Sequence, residues 1–85
     1  MGTLADEVQL MATLPVPAER MAIRRRARVS RERVADELGV QPLAVARWER
    51  GTREPRGELR LRYSRLLRML DEIVTSAQLG SAEAS

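Results

Sequence analysis

Residues 30–51, SRERVADELGVQPLAVARWERG, constrain this chain more than any other stretch. Two segments of helical character lie on either side of Gly39. Ser30 is a residue type that caps a helix by accepting a bond from an unpaired backbone N–H. Glu32 and Arg33 follow in the first turn. Val34, Ala35 and Leu38 then fall at i, i+1 and i+4, which gives one buried stripe. Gly39 tolerates the left-handed backbone that ends a helix, and Val40 is placed to plug the turn behind it. Gln41 and Pro42 open the second segment. Proline suits the first helical position because the N–H it lacks would be unpaired there anyway. Val45 and Trp48 lie three apart on one face, Arg47 and Arg50 point elsewhere, and Gly51 closes the segment. Ala35 is small where two helices must cross closely. The stretch therefore predicts two short helices joined by one glycine-bent turn.

The flanks extend the helical pattern. Thr3 and Asp6 resemble a capping box, and Leu4, Val8 and Met11 recur at i, i+4 and i+7, predicting a first helix over 3–13. Pro15 and Pro17 stop it. A second helix is predicted from about Ala18 to Arg28, with Met21, Ala22 and Ile23 offering apolar contact. Arg24, Arg25, Arg26 and Arg28 crowd its end, where cations are favoured; this run reads equally as a solvated face or as a phosphate-facing one. TREPRG, residues 52–57, is a loop broken by Pro55. A long last helix is predicted from about Glu58 to Ala77. Leu59, Tyr63, Leu66, Leu67, Leu70, Ile73 and Val74 keep a three-to-four spacing along it, with Arg60, Arg65 and Arg68 on the other side. The expected organisation is an N-terminal helix and proline-containing linker over 1–17, a helical domain over 18–78 and a disordered tail over 79–85. The fold class is all-α, a compact bundle of about five helices.

Composition narrows the chemistry. Eighty-five residues suffice for one small domain, and 44 % are apolar. Trp48 and Tyr63 are the only aromatics, so the core must be aliphatic, which favours packed helices over a β-sandwich. There is no Cys and no His. Disulfides, thiolate or imidazole metal sites and Ser-His-Asp or Cys-His catalysis are excluded. No glycine-rich phosphate loop is present. An enzyme, a cofactor, a metal and a small-molecule ligand are not expected. All 15 basic residues are Arg, and the net charge is +3. A GC-rich coding bias accounts for that choice by itself, yet the planar guanidinium fork also suits phosphates and guanine edges. No run reaches the length of a membrane span. Asp6 and Glu7 stand where a secretory leader would be basic. A cytoplasmic protein is expected, with no membrane partner.

Taken together, residues 30–55, SRERVADELGVQPLAVARWERGTREP, meet the demands of a helix-turn-helix. The run resembles the Cro and lambda-repressor-like family, the XRE type, through Ser30, Val34, Ala35, Leu38, Gly39, Val40, Val45, Trp48, Glu49, Gly51 and Pro55. Arg24 also falls where the family keeps an Arg in its first helix. The likeness spans roughly residues 20–75, and the WERG ending with its spaced Pro is its most specific part. It implies a fold of four or five helices whose helix 42–50 reads the DNA major groove. Gln41, Leu43, Ala44 and Arg47 would then reach base edges: Gln suits adenine, Arg suits guanine, and the two apolar residues suit a thymine methyl. Ser30, Arg31, Arg50, Arg53 and Arg56 would contact phosphates. Arg24, Glu49, Trp48 and Gly39 would be structural, with Glu49 paired to Arg24. Arg28 stands where the family commonly has Gly, which implies a wider bend before Ser30.

The expected function is therefore sequence-specific binding to a double-stranded DNA operator by a transcriptional regulator, a repressor of the phage Cro or immunity type. Two rivals stand beside it: an antitoxin-type autorepressor that also binds a toxin, and an adaptor that no longer touches DNA. The apolar stripe of the last helix is longer than one small core requires. Leu66, Leu70, Ile73 and Val74 are thus candidates for a homodimer contact, aided by residues 4–11, or for cover by the apolar stripe of residues 4–11 within one molecule.

Overall fold

Three left-handed residues set the chain reversals. The computed structural model describes the backbone of residues 13–84 and the side chains of residues 13–78. Its helices are α1 (Pro17–Arg26), α2 (Arg31–Leu38), α3 (Pro42–Arg50) and α4 (Gly57–Ala84). Each of the first three ends in the same closure, in which a left-handed residue lets two successive N–H groups turn back onto the last carbonyls. After α2, Gly39 (φ 70°) donates to the Asp36 carbonyl at 3.2 Å and Val40 to that of Ala35 at 2.9 Å. After α3, Gly51 (φ 78°) donates to Trp48 at 3.3 Å and Thr52 to Arg47 at 3.1 Å. After α1 the left-handed position is held by Arg28 (φ 58°), whose N–H reaches Arg25 at 3.0 Å while that of Val29 reaches Arg24 at 3.2 Å. The bend before Ser30 is therefore as tight as a glycine bend, not wider, and it forces an L-residue into a backbone that favours glycine.

The helix starts follow the expected chemistry. Ser30 Oγ accepts from the Arg33 N–H at 3.1 Å. Pro17 and Pro42 each sit in the first turn of their helix. α1 ends two residues short of the expected Arg28, because the left-handed turn intervenes.

The described residues form four helices and no strand. The first of the five expected helices, over 3–13, lies outside them except for Thr13, which is not helical. At the other end, α4 continues to Ala84 rather than giving way to a tail from residue 79. No proline interrupts it after Pro55, and Ala82, Glu83 and Ala84 are good helix formers.

The core comprises Ile23, Val34, Ala35, Leu38, Val45, Trp48, Tyr63, Leu67 and Leu70. Trp48 and Tyr63 face each other with ring centroids 4.8 Å apart and planes tilted by 43°. Val40 is half-buried against this cluster rather than fully enclosed. α4 packs on α1 and α2, and so holds the α2–α3 pair from behind. Its stripe divides. Tyr63, Leu67 and Leu70 are buried, Leu59 and Leu66 pack partly against them, and Met69 (48 % exposed) and Ile73 (56 %) remain on the surface. Leu70, expected on an intermolecular face, is thus part of the intramolecular core. Arg62 reaches from α4 to the carbonyls of Glu37 (3.1 Å) and Leu38 (3.4 Å), where α2 has run out of backbone partners.

Candidate nucleic-acid interface

The outward face of α3 begins with Gln41 and passes through Leu43, Ala44 and Arg47. Gln41, Leu43 and Arg47 are exposed and Ala44 is half-buried. Leu43 is 53 % exposed, an unusual position for so apolar a residue. The side chains of Gln41 and Arg47 make no hydrogen bond among the described residues, so donors and acceptors at both ends of this face are available. Arg50, Arg53 and Arg56 are exposed and continue the face along the loop that follows. Ser30 stands at the start of α2 with its hydroxyl already committed to capping.

The inward face of α3 is tied down by buried charge. Glu49, only 5 % exposed, takes a fork from Arg24, with Nε donating to Oε2 at 2.6 Å and Nη2 to Oε1 at 3.0 Å. This is the pairing that the resemblance implied. Arg31, expected at a phosphate, joins it with Nε donating to the same Oε1 at 3.0 Å, and its side chain stays 38 % exposed. The cause is the buried carboxylate of Glu49, which draws guanidinium groups from both α1 and α2. Arg24 also donates to the Val29 carbonyl at 3.0 Å, which braces the turn before Ser30. Burial by itself raises the Glu49 pKa, but the bonds and charges of Arg24 and Arg31 outweigh it and hold the carboxyl below its ordinary value.

A second anchor escaped the sequence reading. Arg20, 4 % exposed, donates Nε to the Pro15 carbonyl at 2.7 Å and Nη1 to the Trp48 carbonyl at 3.1 Å. Its two terminal nitrogens grip Glu54, at 3.0 Å to Oε2 and 3.1 Å to Oε1. A faint signal existed: Arg20 lies one turn before Arg24, with Ile23 between them, so both emerge beside the apolar face of α1. Nothing local distinguishes it from the other arginines, however, because all its partners except Pro15 are distant in sequence. Pro55 is buried beside Glu54, while Arg53 and Arg56 on either side face out.

The arrangement presents an apolar-tipped helix with one guanidinium a turn along it and three more beside it. No group of acidic residues among the described ones could hold a metal. No helix among them is long and apolar enough to cross a membrane. No curated protein and no solved structure matches the chain. A family model described as helix-turn-helix matches residues 21–71, which run from the first turns of α1 to the middle of α4 and enclose the Arg24–Glu49 pair. The chain belongs to the helix-turn-helix family of DNA-binding regulators, of the Cro and lambda-repressor-like XRE type.

Proposed function

We propose that the protein is a sequence-specific DNA-binding repressor that lays α3 in the major groove of an operator. The observation that carries this reading is the free face of α3. Gln41 and Arg47 offer unsatisfied hydrogen-bonding groups nearly two helical turns apart, and Leu43 keeps an apolar side chain in solvent between them. Such a face has no use within the fold. It suits base edges: an amide for adenine, a guanidinium for guanine and a methyl-bearing surface for thymine. Arg50, Arg53 and Arg56 supply phosphate contacts that fix position without reading sequence. Ser30 and the open N–H groups at the start of α2 supply another. Repression follows from the resemblance to Cro and immunity repressors, which act by occupying an operator. Such a protein works in the cytoplasm, where its DNA is.

One reading helix covers few base pairs, so selectivity calls for two copies on paired half-sites. Among the described side chains of α4, Ile73 and Met69 are the large exposed apolar ones that could make that contact, with Val74 half-buried beside Ile73. Selection of bound sequences from a random duplex library tests the reading. An enriched site with two related halves about one helical turn apart is expected. Recovery of no preferred sequence would leave the adaptor as the better account.

A further inference from the structure

The loop between α3 and α4 alternates in sign. Arg53 and Arg56 face outward as cations, yet Glu54 lies between them, where a carboxylate would repel the phosphates they are placed to meet. Its geometry points to a different task. Both carboxylate oxygens turn inward to Arg20, at 3.0 and 3.1 Å, and Oε2 also lies 3.6 Å from Nη1 of Arg60. Arg20 in turn holds the Trp48 carbonyl in the last turn of α3. One buried guanidinium therefore links α1, the end of the reading helix and the loop that follows it. A forked pairing of this kind fixes direction as well as distance.

We propose that Glu54 and Arg20 are positioning residues for DNA binding, which hold the loop so that Arg53 and Arg56 face the phosphate backbone in register with α3. The inference rests on the DNA-binding reading above and adds a sign to it. If Glu54 acted on DNA only through its charge, removing it would tighten binding, because a negative group near phosphate would be gone. If Glu54 positions the loop, removing it weakens binding despite the gain in net positive charge.

The test measures fluorescence anisotropy with two labelled duplexes, the selected site and an unrelated sequence, over a series of salt concentrations. Glu54→Ala is expected to weaken binding to both about tenfold and to make the salt dependence shallower by about one phosphate contact. Glu58→Gln is the charge control: it removes the same charge in the exposed first turn of α4, and is expected to bind slightly more tightly than the parent. The Glu54 side chain is 45 % exposed, so Glu54→Ala should stay folded. If its melting falls below the assay temperature, Glu54→Gln takes its place; it keeps the shape and one acceptor, and is expected to show a smaller loss in the same direction. Equal or tighter binding by the folded Glu54 variant overturns the positioning role. A parent that binds neither duplex at any salt concentration overturns the DNA reading itself, and the positioning role with it.

Discussion

At the scale of single residues, Tyr63 shows how burial turns into a pH dependence. Its hydroxyl is buried without a hydrogen-bond partner among the described residues. Burial, with Glu49 nearby, pushes its pKa from 10.0 up to about 12. Below pH 10 the phenol is protonated whether the chain is folded or not. Between pH 10 and about 12 the unfolded chain releases the proton and the folded one keeps it, so stability falls as pH rises. Two pKa units amount to a loss of at most about 3 kcal/mol. Tyr63→Phe should abolish this alkaline loss in denaturant titrations. It should also raise stability at neutral pH by up to ~1 kcal/mol, because no bond is lost and a desolvated oxygen is removed. Glu49 behaves in the opposite sense: its carboxyl is held low when folded, and its contribution disappears as pH falls through that lowered value. Arg28 offers a third case. A left-handed backbone costs an L-residue about 1–2 kcal/mol, and glycine regains most of this against its own greater freedom when unfolded. Arg28→Gly should therefore raise the unfolding free energy by about 0.5–1 kcal/mol, measured by chemical denaturation. An unchanged or lower value would mean that the Arg28 side chain contributes more than its exposed position indicates.

At the scale of elements, the two sides of α3 separate reading from holding. Arg47→Ala should weaken binding to the selected site by about 1–3 kcal/mol and spare unrelated DNA. Arg53→Ala should weaken both alike and flatten the salt dependence by about one unit. Quantitative titration of both duplexes with both variants distinguishes these patterns. An Arg47→Ala protein with unaltered preference would rule out the proposed placement of α3. The elements themselves were largely legible in the sequence, because their signals are local. The Ser30 cap, the Pro42 start and the Gly39 and Gly51 stops each act within a few residues, and the structure honours all four. The inward pairing of Glu49 with Arg24 was reached through the family resemblance. What escaped was long-range. Fifteen identical arginines carry no local mark of which is buried, so neither the burial of Arg20 nor the bond of Arg31 to Glu49 can be read from the sequence. The tight Arg28 turn is not legible from its residue type, because its backbone follows the closure of α1, not the preference of the side chain.

At the scale of the whole molecule, the apolar stripe of α4 is the feature that spacing alone could not apportion. Periodicity places Leu66, Leu70, Ile73 and Val74 on one side of a helix, but only packing decides which of them the molecule uses itself. Leu70 is buried in the core cluster, and Ile73, beside the end of α1, stays 56 % exposed. The two should answer differently to a charge. Leu70→Asp should unfold the domain, since it buries an unpaired carboxylate in the core. Ile73→Asp should leave a folded protein whose sedimentation at high micromolar concentration shifts from dimer to monomer and whose affinity for a paired site drops. A parent that sediments as a monomer, with one copy on an asymmetric site, would remove the dimer from the proposal.

The tilted stacking of Trp48 on Tyr63 also makes the core its own optical gauge. The chain has one indole and one phenol, and they are in contact. Because Trp48 is enclosed on the far side of α3 from the proposed DNA face, saturation with duplex should leave its emission maximum where it is, while unfolding moves it to longer wavelength. Ionised phenol accepts excitation energy that neutral phenol does not. In the folded protein the brightness of the indole should therefore hold steady through pH 10 and dim only as Tyr63 gives up its proton.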